Sequence, residues 1–209
     1  MERVITYIDG FNLYFGLKSR GWRRYYWLNM AALSQSLLRP HQTLVTTKYF
    51  TTRITGPADK RLRQNEFLEA LATVPDIQVY YGHFLVNERI CQKCGNREMV
   101  PSEKMTDVNI AVELVRDAFQ NQMDTAIIVS ADSDLDGPVT ALRSTFPAKR
   151  VIAAFPPNRR SRELMNHAHG YFTIGEDKFR QNQFPDKIQK PDGHILQRPT
   201  RWMQPGAQP

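Results

Sequence analysis

A chain of 209 residues, 41% hydrophobic and 23% charged, is long enough for one well-buried domain with appendages. Its 28 lysines and arginines against 21 acids leave a net charge of +7, which suits a polyanionic partner. No apolar run approaches 18 residues and no signal-peptide pattern is present, so a membrane-spanning helix is excluded and a cytoplasmic location is expected.

The first element is a β-branched and aromatic run, Val4-Ile5-Thr6-Tyr7-Ile8, that stops at Asp9-Gly10. It predicts a strand whose carboxyl end carries Asp9. A short helix is expected from Phe11 to Arg20, then a cluster from Lys18 to Trp27 in which four cations are interleaved with four aromatics. Such a mixture can follow a phosphate backbone and stack bases. Arg20, Trp22, Arg23 and Arg24 are therefore candidate nucleic-acid contacts, as are Lys104, Arg159 and Arg160. For Tyr26 and Trp27 a place in the core, anchoring a helix from Asn29 to Leu38, is an equal alternative.

A strand from Leu44 to Arg53 and a helix from Pro57 to Thr73 follow, with Lys60, Arg61 and Arg63 expected on a solvated face. A third strand, Ile77 to Val86, is expected to extend into a hairpin insertion over 86–101. That insertion carries Cys91 and Cys94, which have the spacing of half a zinc ribbon. The remaining zinc ligands would be His83, a cysteine pair from a second subunit of a homodimer, or none. Next, Val108, Ala111, Val112, Val115, Ala118 and Phe119 recur at helical spacing, with Thr106 as N-cap and Asp107 in the first turn.

The apolar run Ala126-Ile127-Ile128-Val129 predicts a strand buried on both faces, and it empties into Asp132-x-Asp134-x-Asp136. A helix (Leu135 to Phe146), a strand (Arg150 to Phe155), a helix (Ser161 to His169) and a short strand (Tyr171 to Ile174) complete the regular pattern. Strands alternating with helices imply right-handed crossovers and a mainly parallel sheet covered on both sides. A domain over residues 1–181 is thus expected, with a flexible, proline-rich basic tail over 182–209.

Asp9, Asp107, Asp132 and Asp134 each fall where a strand ends or a helix begins. Singly, turn chemistry and dipole complementarity account for them. If the strands bearing Asp9 and Asp132 are neighbours, the acids converge at the carboxyl end of the sheet, where ligands bind in open α/β folds. Two carboxylates about 4 Å apart repel by roughly 4 kcal/mol at an effective dielectric near 20, so such a cluster takes up protons or a cation. Oxygen-only ligands favour Mg²⁺ or Mn²⁺ over zinc. The acids also imitate an EF-hand loop, but its twelfth position is Arg143 where a bidentate Glu is required. An aspartyl nucleophile for phosphate transfer would expect a second acid at the position of Phe11. No phosphate-binding glycine loop is present, and no histidine can be placed beside a nucleophile.

Asp9-Gly10-Phe11-Asn12, Lys104-Met105-Thr106-Asp107-Val108 and Ser130-Ala131-Asp132-Ser133-Asp134-Leu135 resemble, in order and context, the motifs of the NYN domain family. That family belongs to the PIN-like nuclease superfamily, and the chain looks like its LabA-like bacterial branch, the similarity covering about residues 3 to 175. Family members often carry glycine where Ala131 and Met105 stand, and phenylalanine where Leu135 stands. The resemblance implies a PIN-like three-layer α/β/α sandwich and a metal-dependent endoribonuclease acting on single-stranded or structured RNA. It implies that Asp9, Asp107, Asp132 and Asp134 hold Mg²⁺ or Mn²⁺ and that Asn12 and Ser130 orient ligands or water. A non-catalytic RNA-binding module on the same fold, or an enzyme acting on a small anionic substrate, is the alternative.

Overall fold

The computed structural model of the chain describes residues 1–90, 92 and 94–203. In chain order the elements are β1 (Glu2–Asp9), α1 (Gly10–Ser19), α2 (Met30–Ser36), β2 (Gln42–Thr51), α3 (Ala58–Ala72) and β3 (Ile77–Tyr81). After a hairpin of β4 (His83–Ile90) and β5 (Arg97–Lys104) come α4 (Thr106–Phe119), β6 (Thr125–Val129), α5 (Asp136–Thr145) and β7 (Arg150–Phe155). The chain continues through α6 (Arg162–His167), β8 (Gly170–Thr173), α7 (Glu176–Gln181), β9 (Lys187–Gln189) and β10 (Ile195–Gln197).

Six strands form one parallel sheet in the order β3-β2-β1-β6-β7-β8. The chain winds outward from β1 to β3, crosses over, and winds the other way from β6 to β8. The reversal falls between β1 and β6, whose carboxyl ends therefore open a crevice at the switch point. One face of the sheet packs Leu13, Leu33, Phe67 and Phe179 from α1, α2, α3 and α7. The other packs Ile110, Leu114, Leu142 and Leu164 from α4, α5 and α6. The result is the expected three-layer α/β/α sandwich. Every residue of β6 is buried, which is why that strand reads as a continuous apolar run. No helix of the described residues is long and apolar enough to cross a membrane.

Three features differ from the sequence expectation. In α4 the apolar repeat Val108, Val112, Val115 and Phe119 faces solvent, Phe119 being 78% exposed. The buried face instead carries Ile110, Leu114 and Ala118 together with Glu113 and Asp117. Those two acids turn inward to meet Lys48 of β2, at 2.7 Å and 2.6 Å. An inward-facing ion cluster is invisible to a pattern that scores charge as surface.

The hairpin of β4 and β5 pairs His83 with Lys104 and Ile90 with Arg97, so it is longer than the expected insertion over 86–101. Cys94 is exposed; Cys91, on which the zinc expectation equally rests, lies outside the described residues.

The segment from 182 onward was expected to be a flexible tail, yet its described part folds back on the domain. Asn29 N–H donates to the Asn182 carbonyl, and the Trp27 indole N–H donates to that of Pro185. β9 and β10 pair antiparallel, Leu196 is 1% exposed, and the Trp202 ring packs 6.3 Å from those of Trp27 and Phe67. Prolines interrupt any periodicity here, so the few anchoring apolar residues left no pattern. Leu196→Ala is expected to lower unfolding free energy by about 2 kcal/mol, the lower end for a buried leucine because a two-stranded hairpin can relax. Urea titration monitored by tryptophan fluorescence measures it.

Candidate metal centre

Asp9 is the last residue of β1 and the N-cap of α1. Its Oδ1 accepts the Asn12 N–H at 2.9 Å, and its Oδ2 accepts the Ser130 hydroxyl at 2.9 Å. Capping and ligand roles are therefore compatible, since each carboxylate oxygen has a second lone pair. Ile8 pairs with Val129 across β1 and β6, so Asp9 and Ser130 follow side by side. Ser130 Oγ also accepts the Asp132 N–H at 3.0 Å, and Asn12 Oδ1 accepts the Ala131 N–H at 3.1 Å. Asn12 and Ser130 thus stitch the ends of the two strands together and fix the turn that presents Asp132.

Gly10 is required by its surroundings. A Cβ there would stand 2.6 Å from the Tyr49 hydroxyl and 2.7 Å from the Phe50 carbonyl.

Asp107 arrives from the opposite side, in the first turn of α4. The N-cap of that helix is Met105 with φ of 79°, one residue before the expected Thr106, and it makes no side-chain capping bond. A left-handed conformation suits glycine better than methionine. Met105→Gly is expected to raise stability by about 0.5–1 kcal/mol, the relief of left-handed strain less the added freedom of the unfolded chain. Thermal unfolding would detect it.

Carboxylate oxygens of Asp9, Asp107 and Asp132 lie within 4.8 Å of one another. They border a cavity of about 140 Å³ that Phe11, Asn12, Thr106 and Arg159 also line. Three hard, anionic oxygens converging on one small space could hold a divalent metal ion. Asp134 is not brought into this set. It is exposed, and its backbone N–H donates to Asp132 Oδ1 at 3.1 Å, which holds the turn in shape. Asp136 is turned away into a 2.6 Å contact with His167.

The expected nucleic-acid contacts divide. Arg159 lines the acid cavity and lies 5.8 Å over the Phe15 ring. Lys104 and Arg160 are exposed. Arg23 is exposed and borders a second, larger cavity. Arg24 is tied to Glu176 at 2.7 Å and stacked on Tyr25. Trp22 is half-buried: its ring packs 5.9 Å from Tyr25 and 6.1 Å from Phe179, with Arg20 over it. Trp27 is wholly buried in the core. Sequence reasoning missed Tyr14, Phe15, Lys60, Arg63 and Trp202, which line one cavity or both. The mixed aromatic and basic character of α1 and the start of α3 was the available signal.

The parallel sheet with acids gathered at its switch point defines a nuclease-like α/β/α domain. Residues 3–175 match the NYN domain, and the chain belongs to that family. It is 26% identical to the 6-hydroxy-3-succinoylpyridine 3-monooxygenase of Pseudomonas putida, over 80% of this chain and 65% of that protein's length. A crystal structure of a protein of unknown function from Vibrio parahaemolyticus shares the fold. Its TM-score is 0.56 at 20% identity, covering 84% of this chain and 94% of that one.

Proposed function

We propose that the protein is a metal-dependent ribonuclease that hydrolyses phosphodiester bonds at the crevice between β1 and β6. The observation that carries this reading is the convergence of Asp9, Asp107 and Asp132 from three separate elements to within 4.8 Å. Mg²⁺ or Mn²⁺ held by these acids would supply a more acidic bound water and offset charge on the phosphate. The chain's own residues do the positioning. Ser130 and Asn12 keep Asp9 and Asp132 in register, and Arg159 at the cavity wall would donate to a phosphate oxygen. Water oxygen bonds to phosphorus, the bond to the leaving sugar oxygen breaks, and that oxygen takes a proton. The net charge of +7 favours attraction of RNA to an otherwise acidic centre.

The test is cleavage of end-labelled single-stranded and hairpin RNA with Mn²⁺, with Mg²⁺, and with EDTA. Cleavage restored by metal after chelation is expected; none under any metal would leave an RNA-binding module. One observation favours a second reading: the Pseudomonas putida relative is named for oxygenation of a small pyridine acid. Turnover of 6-hydroxy-3-succinoylpyridine with no action on RNA would select it.

A further inference from the structure

Beside the acid cavity, and sharing Phe11 and Phe15 with it, lies a groove of about 570 Å³ between α1, the start of α3 and the C-terminal segment. Its wall is a continuous run of rings. Phe11 stands 6.1 Å from Phe84 and 6.4 Å from Phe15, and Phe15 stands 5.3 Å from Tyr14. Tyr14 is 5.0 Å from Tyr26, which is 5.7 Å from Trp202. Lys18, Arg23, Lys60, Arg63 and Arg201 stand along the same groove. Arg63 and Arg201 share Asp59, whereas Lys18, Arg23 and Lys60 have no carboxylate partner among the described residues.

Apolar rings edged by unneutralised cations complement a ligand with flat faces and a negatively charged backbone. We infer that this groove seats one or more unpaired bases of a single-stranded RNA, which runs from the acid cluster along α1 toward Trp202. The path of the strand to the acid cluster rests on the ribonuclease reading, because continuity through Phe11 and Phe15 is what joins the groove to the cleavage site. Trp202 lies beyond residues 3–175, so one wall of the groove comes from outside the segment that matches the family. A helix-bound duplex has no unstacked base to offer, so the groove selects single strands.

The experiment is fluorescence anisotropy of the full chain in EDTA with a labelled eight-nucleotide RNA, and with versions in which one position after another lacks its base. Tyr14 is 40% exposed, so truncating it spares the core. Base–ring stacking predicts that Tyr14→Ala weakens binding of the intact strand by about 5- to 150-fold, while Tyr14→Phe restores it. Removing one particular base should weaken wild-type binding similarly and have no effect on Tyr14→Ala. Lys60→Ala should reduce the salt dependence of binding by about one phosphate. Equal affinity for every base-free strand, or unchanged binding by Tyr14→Ala, would each overturn the assignment. If the binding pattern holds but no metal supports cleavage, the ribonuclease reading fails and the groove stands. If cleavage proceeds and Tyr14→Ala cleaves as wild type, the groove fails alone.

Discussion

Asp132→Asn is expected to slow metal-dependent RNA cleavage by about 10²–10³-fold, the scale of removing one preorganised charge-stabilising group, while the fold survives. Asparagine keeps an oxygen to accept the Asp134 N–H and occupies nearly the same volume, so the turn persists. What is lost is one of three negative charges around the cavity. The metal-free variant should therefore be no less stable than wild type, because a like-charge contact has been relieved. Mn²⁺ should stabilise wild type by about 2.7 kcal/mol at a hundredfold excess over its Kd, and the variant by much less. Single-turnover cleavage and thermal unfolding with and without Mn²⁺ measure both effects. Asp9→Asn should behave differently. Asp9 is 3% exposed and accepts both the Asn12 N–H and the Ser130 hydroxyl, so an amide there loses a cap as well as a proposed ligand. Asp134→Asn, whose carboxylate stands outside the cluster, should cleave at close to the wild-type rate. A loss at Asp134 as large as that at Asp132 would argue for a metal set wider than the three converging acids.

The largest stability effect is expected at Lys48→Met, a loss of about 3–5 kcal/mol in unfolding free energy near neutral pH. Lys48 is 3% exposed, with Nζ donating to Glu113 at 2.7 Å and to both oxygens of Asp117. Asp117 also accepts the Tyr7 hydroxyl at 2.6 Å, and Arg116 reaches Glu113 from the surface. Removing the lysine leaves two buried carboxylates and only one half-exposed cation. Burial alone would raise the Glu113 carboxyl, but the hydrogen bonds from Lys48 and Tyr80 and the charges of Lys48 and Arg116 hold it below its ordinary 4.5. Burial likewise opposes the charged Lys48, yet its two acidic partners raise it above 10.5.

A carboxyl depressed on folding stabilises above its unfolded value and loses that contribution as pH falls through its folded one. A raised lysine stabilises below its unfolded value and loses the contribution as pH rises through its folded one. The gap between wild type and Lys48→Met should therefore be widest between about pH 4.5 and 10.5 and should narrow on both sides. Urea titrations at pH 3, 7 and 11 are the measurement. A gap independent of pH would assign the loss to packing and not to charge. Tyr7 takes no part as a charge, because burial first and the neighbouring Asp117 second raise its phenol well above the ordinary range.

Much of the site is legible in the sequence. Asp9 and Asp132 follow apolar runs whose strand character is local, and a strand necessarily delivers the residue after it to one edge of a sheet. The alternation of strand and helix fixed a parallel sheet, because parallel neighbours need crossovers. Glycine after Asp9 marked the turn. The same locality explains why the order of elements from β1 to β8 follows the periodicity closely, with ends shifted by a few residues where helices fray or cap.

What only the tertiary structure decided is adjacency. Nothing in the sequence makes β1 the neighbour of β6, and without that pairing Asp9 and Ser130 would not meet. Asp107 joins because α4 points its first turn at the same crevice, whereas Asp134, two residues from Asp132, stays outside because a tight turn aims neighbouring side chains apart. The inward turn of Glu113 and Asp117 depends on a lysine some 65 residues away, and the packing of Trp202 depends on Trp27 and Phe67. Residue type and spacing carry the chemistry that a segment can perform. Which segments perform it together is set by burial and by pairings between strands distant in sequence, and those contacts exist only once the chain has folded.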